Sequence, residues 1–171
     1  MFYPSRHFNS IYEITPEFLS GEGVRALVLD IDNTLVTYGT ETPTPPVVEW
    51  INAMRGSGIG ITVASNNGRE RVEKFCAGLD VFFTYKSGKP LTKCVTLSSE
   101  KFGIDKKSVG VVGDQIFTDV LCAKFSGAKA YLVTPLVSPE NPFIRFKRLL
   151  EKPIIRSYKK RHPEQFKEAG K

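Results

Sequence analysis

Histidine and cysteine are scarce in this chain, with two and three among 171 residues. His7 and His162 lie near the ends, away from the patterned middle. A Ser-His-Asp triad or a histidine-rich zinc site therefore has little to draw on. Cys76, Cys94 and Cys122 are odd in number, widely spaced and include no C-x-x-C. That excludes a disulfide framework and fits free, buried thiols in a reducing cytosol. No run approaches the roughly 18 apolar residues of a membrane span. Residues 1–7 lack the apolar core of a secretory signal, so secretion by that route is not expected. Internal repeats and low-complexity stretches are missing as well. The chemistry must come mainly from carboxylates, lysine, serine and the backbone.

What the chain has in excess is positive charge, unevenly placed. Lys and Arg number 24 against 18 Asp and Glu, a net of +6. Residues 145–171 hold 10 basic and 3 acidic side chains, a net of +7, which leaves residues 1–144 at −1. No basic surface is implied for the body, so nucleic acid is disfavoured as its partner. The length fits one domain, with residues 1–144 as its body and residues 145–171 as a basic helical tail.

Apolar runs at 24–29, 59–64, 81–85, 108–112 and 128–133 read as strands. Helical patterns at 45–57, 68–78, 91–102 and 116–126 lie between them. This rhythm predicts an α/β fold: one doubly wound, five-stranded parallel sheet with helices on both faces. Residues 15–19 suggest a turn of helix. Residues 140–162 suggest one or two helices interrupted at Pro153.

In open α/β sheets ligands bind beyond the carboxyl ends of the strands. Four strands end in polar residues: Asp30-Ile31-Asp32-Asn33-Thr34, Ser65-Asn66-Asn67, Gly88-Lys89-Pro90 and Gly113-Asp114, with Asp119 five positions on. Asp30 and Asp32, two apart in extended chain, can share a side. With Asp114 from a neighbouring strand they repel unless a cation joins them, and an all-oxygen set suits Mg²⁺ better than zinc. Ser65 and the amides after it precede a helix start, which favours anions. Lys89 adds a point charge for a phosphoryl group. Together these read as a Mg²⁺-assisted phosphoryl-transfer site. Taken singly, Ser65 is also a helix cap, Lys89 a solvated lysine and Asp119 a helix-start charge.

Asp30-x-Asp32-x-Thr34, Ser65, Lys89 and Gly113-Asp114-x4-Asp119 match, in order and spacing, the four motifs of the haloacid dehalogenase (HAD) superfamily. The chain resembles its subfamily IIIA phosphatases. Residues 10–17 and 143–148 resemble the bacterial YqeG branch, which is similar to mitochondrial phosphatidylglycerophosphate phosphatases. The resemblance implies Asp30 as nucleophile and Asp32 as general acid and base. It implies Mg²⁺ on the Asp30 carboxylate, the Asp32 main-chain carbonyl and Asp114. It places Ser65, Asn66 and Lys89 on the phosphoryl oxygens, Asp119 behind the metal, and Thr34 orienting the loop after the nucleophile.

Neither the gap after Thr34 nor the 24 residues from Ser65 to Lys89 has room for a cap domain. The site should be open, with residues 35–44 as a small flap, and suited to a bulky phosphomonoester. The resemblance makes phosphatidylglycerophosphate the first candidate. It also implies a cytoplasmic protein, peripheral at the inner face of the membrane, with the basic tail touching anionic lipid. A plainer reading of residues 143–161 is a docked helix followed by a solvated end. The alternatives are a phosphoprotein or nucleic-acid end as substrate, or a non-catalytic RNA- or ribosome-associated adaptor.

Overall fold

Side chains alternate across a strand, and a sheet covered on both sides must be apolar on both. The central strand β2 (Ala26–Leu29) meets that condition, with every residue buried. Leu27 and Leu29 join one core cluster and Val28 the other. The first cluster lies under α1 (Pro16–Gly21), α2 (Pro45–Gly56) and α3 (Arg69–Cys76). The second lies under α4 (Lys93–Phe102) and α5 (Leu121–Ser126). Full burial of one such aliphatic side chain is worth roughly 1.5–3 kcal/mol. The computed structural model describes residues 2–138 and 141–166.

The five expected strands are present as β2, β3 (Gly60–Ala64), β4 (Phe82–Thr84), β5 (Val109–Gly113) and β6 (Lys129–Val133). A sixth, β1 (Arg6–Phe8), pairs with β6 at the edge. The sheet is therefore six-stranded, parallel throughout, in the order β1-β6-β5-β2-β3-β4. Three residues that include Arg6 and His7 carry too little periodicity to announce a strand.

The chain leaves β2 toward β3 on one side and later returns to β5 on the other. This reversal opens a crevice at the carboxyl end of β2. No domain is inserted between β2 and α2, or between β3 and β4, where α3 is the one helix.

Pro142–Arg161 form one continuous helix, α6, capped by the Asn141 side chain and followed by a 3-10 turn at Pro163–Phe166. It is not interrupted at Pro153, which lies inside it. Pro153 and Leu149, one turn earlier, both face solvent. Water can therefore satisfy the carbonyl that loses its amide partner. The position between residues 144 and 145 falls within α6. Glu151 and Tyr158 bury one side of the helix against the body.

Candidate active site

Asp30, Ser65 and Asp114 each occupy the first position beyond a strand, namely β2, β3 and β5. The backbone N–H of Asp30 donates to Val112 O at 3.0 Å, continuing the sheet by one residue. The parallel register of these three strands therefore brings residues from distant parts of the sequence to one edge.

Lys89 reaches the same edge from the loop after β4. Its ammonium donates to Asp30 Oδ1 at 2.6 Å and Asp119 Oδ1 at 2.7 Å. It is buried. Burial works against its charge, but the Asp119 and Asp30 carboxylates outweigh that and raise its pKa. The side chain of Asn66 braces this lysine: its amide donates to Lys89 O at 3.1 Å and its oxygen accepts from Lys89 N at 2.8 Å. The Asn66 side chain is thus bound to the Lys89 backbone through both its oxygen and one of its N–H groups. Ser65 does not cap α3, whose cap is Gly68. Its hydroxyl accepts from Asn67 N at 3.1 Å and lines the pocket.

Oxygen atoms of Asp30, Asp114 and Asp119 all lie within 4.8 Å of one another. Burial, with Lys89 opposing and Asp119 and Asp114 adding, pushes Asp30 up to about 8. Burial, opposed by Arg148, pushes Asp114 up to about 7. Three carboxylates this close, facing the two cations Lys89 and Arg148, are short of positive charge. An all-oxygen set of this kind fits a hard divalent cation. Asp119 rests against Gly113, where a Cβ would overlap its carboxyl group. This accounts for glycine within the Gly113-Asp114-x4-Asp119 pattern.

The Asp32 side chain stands outside that cluster. Its Oδ2 accepts from Asn67 Nδ2 at 2.5 Å and its Oδ1 from the Arg71 guanidinium at 3.0 Å. Arg71 also donates to Thr40 O at 2.7 Å and Glu41 O at 3.2 Å, tying Asp32 to the 35–44 loop. Thr34 is buried, with its hydroxyl directed at Asp114 Oδ1 across 3.5 Å. Its neighbour Asn33 takes a positive φ of 66°, a conformation that Asn tolerates better than most residues. The Asn33 side chain exchanges two 2.8 Å hydrogen bonds with the Val137 backbone, fastening the loop after β6 to the Asp30 loop.

Arg71, Arg148 and Asn33 were not singled out from sequence. Arg148, on α6, donates to both the side chain and the main-chain carbonyl of Asp114, and to Glu151 Oε2 at 3.3 Å. Glu151 is fully buried and also accepts from Phe117 N at 3.0 Å. As the one acidic residue of α6, Glu151 carried a faint signal.

Above this floor lies an open pocket of about 970 Å³. Asp30, Asp32, Ser65 and Lys89 line it together with Tyr38 of the flap and Lys147 of α6.

A family model, haloacid dehalogenase-like hydrolase, matches residues 7–127. The chain belongs to this family. It is 35% identical to the "Probable phosphatase YqeG" of Bacillus subtilis over 167 residues, covering 98% of this chain and 97% of that protein. A subfamily IIIA hydrolase of the superfamily from Legionella pneumophila superposes with a TM-score of 0.51 at 15% identity, over 77% of this chain and 74% of its own. The cobalt-bound deoxy-D-mannose-octulosonate 8-phosphate phosphatase of Haemophilus influenzae does so with a TM-score of 0.53 at 13% identity, over 80% and 90%. At such identities the two structures show the shared fold. This haloacid dehalogenase-like hydrolase thus has its aspartates at the crevice where its topology reverses.

Proposed function

We propose that this hydrolase is a Mg²⁺-dependent phosphomonoesterase acting through Asp30, with phosphatidylglycerophosphate as its first candidate substrate and phosphatidylglycerol as product. The observation that carries the reading is the Asp30 carboxylate at the floor of an open pocket, 2.6 Å from the Lys89 ammonium.

An Asp30 oxygen attacks phosphorus while the bond to the leaving oxygen breaks, and Asp32 gives that oxygen its proton. Asp32 then takes a proton from water, whose oxygen attacks the aspartyl-phosphate and frees inorganic phosphate. Asn67 and Arg71 hold the Asp32 carboxyl in place for both transfers. Ser65, the Asn66 main-chain N–H and Lys89 hold the phosphoryl oxygens. The Asp30, Asp114 and Asp119 carboxylates and the Asp32 main-chain carbonyl would hold Mg²⁺, which when bound supplies charge neutralisation to carboxylates and phosphoryl oxygens.

The lipid reading rests on α6. Among the described residues no helix is long and apolar enough to cross a membrane. Phe143, Phe146, Leu149 and Leu150 are nevertheless exposed along α6, beside a pocket lined by Ile144 and Lys147 of the same helix. Arg145, Lys152 and Arg156 are exposed on it too, and Glu151, its one acid, is buried. An apolar stripe flanked by cations suits peripheral binding at an anionic cytoplasmic leaflet.

The test is phosphate release from an aryl phosphate, and from phosphatidylglycerophosphate in vesicles beside phosphoproteins and sugar phosphates. Mg²⁺-dependent turnover lost in Asp30→Asn, with preference for the vesicle substrate, supports the reading. Equal rates in both proteins would sink the mechanism, and preference for a soluble phosphate would sink the substrate.

A further inference from the structure

A single phosphoryl group needs little of the 970 Å³ pocket, whose size is that of a site for a whole drug-sized ligand. Among the described residues three cations line it: Lys89, Arg71 and Lys147. Lys89 is held by Asp30 and Asp119, and Arg71 by Asp32. Lys147 is different. Its ammonium donates to the neutral Gln115 Oε1 at 3.0 Å and lies 5.3 Å from the centre of the Phe143 ring. Among the described residues no carboxylate pairs with it. The nearby α6 acid, Glu151, is turned inward onto Arg148 and Phe117.

A half-buried ammonium with neutral partners, facing a ligand pocket, keeps its attraction for an anion. Ile144, one turn before it, and Val137 give the neighbouring wall an apolar surface. We propose that Lys147 binds a second negative group on the substrate, so that the preferred phosphomonoester carries another anionic group and an apolar portion. This specificity role rests on the phosphomonoesterase reading. It assigns Lys147 to substrate selection, apart from the reacting atoms at Asp30.

The test compares hexyl phosphate with hexyl phosphate bearing a terminal sulfonate, a permanent anion that cannot be hydrolysed. Dissociation constants are measured calorimetrically with Mg²⁺ present, in an Asp30→Asn background that cannot turn over either probe. The doubly anionic probe binds more tightly. Lys147→Gln reduces that preference by about tenfold, and Lys147→Arg retains it. An unchanged ratio in Lys147→Gln, or no preference to begin with, would overturn the proposal. Turnover by Asp30→Asn itself would instead refute the nucleophile, so the two failures are told apart. Melting curves of each variant establish that it is folded.

Discussion

The Arg148 guanidinium grips Asp114 by both its side chain and its main-chain carbonyl, joining α6 to the floor of the pocket. A helix that counts in the sequence as a basic tail thereby fixes the carboxylate at the end of β5. Glu151 holds Arg148 from behind, so the contact is a buried triad rather than a surface pair. Surface ion pairs contribute about 0–1 kcal/mol, whereas removing one partner of a buried set costs about 3–5 kcal/mol.

Arg148→Ala should therefore lower stability by about 3 kcal/mol and weaken metal binding, because Asp114 loses the fork that sets its angle. Arg148→Lys, a point charge in place of a fork, should fall between. The measurement is a melting temperature with and without Mg²⁺. A larger Mg²⁺-induced rise in the variant than in the parent would mean that Arg148 acts by repelling the cation, not by positioning its ligand.

Truncation after Asn141 gives a related expectation. Because α6 buries Glu151 and Tyr158 and supplies Arg148 to Asp114, the shortened chain should lose turnover of soluble aryl phosphates as well as of vesicle substrates. Full activity on the soluble substrate would show that the triad is dispensable.

Replacing Phe143, Phe146 and Leu149 by serine removes three of the four exposed apolar side chains without touching the buried side of α6. Vesicle co-sedimentation should fall by about tenfold or more, since each buried apolar side chain is worth roughly 1.5–3 kcal/mol. Undiminished sedimentation with phosphatidylglycerol vesicles would exclude the stripe as the contact.

The pH dependence follows from Asp30 and Asp114, raised to about 8 and about 7 chiefly by burial. Groups whose folded pKa lies above the unfolded value contribute stability at low pH and lose it as pH rises through the folded value. Without metal, the melting temperature should fall from about pH 5 to about pH 8. Added Mg²⁺ should raise it more at the upper end, where fewer protons must be displaced. A Mg²⁺ effect that is constant across this range would contradict the assignment of Asp30 and Asp114 as ligands.

Arg71 links Asp32 to the backbone at Thr40 and Glu41. Arg71→Ala should lower kcat on an aryl phosphate by roughly tenfold or more, with KM less affected, because the proposed proton donor Asp32 keeps only its Asn67 contact. An unchanged kcat would remove Arg71 from the account.

The order and spacing of Asp30, Asp32, Ser65, Lys89, Asp114 and Asp119 were legible because Asp30, Ser65 and Asp114 directly follow apolar strands whose ends converge in a parallel sheet, and the others lie a few positions beyond a strand. β2 to β6 were legible for the same reason. Arg148 was not, because its contact with Asp114 spans 34 positions and it stands among several similar cations. Arg71 was hidden in the polar first turn of α3. The bracing of Lys89 by the Asn66 side chain was not legible either, because it depends on where the loop after β4 comes to rest. Asp119, expected behind the metal, has its carboxylate within the same 4.8 Å group as Asp30 and Asp114. Helical spacing and the bare Gly113 bring it there.

The central claim is that phosphate passes through Asp30. Rapid acid quenching of the Mg²⁺-loaded protein during turnover of an aryl phosphate, followed by peptide mass spectrometry, tests it directly. The account predicts a phosphoryl adduct on the peptide that contains Asp30, at that residue, and no adduct in Asp30→Asn. Turnover with no adduct at Asp30, or an adduct on another side chain, would contradict it.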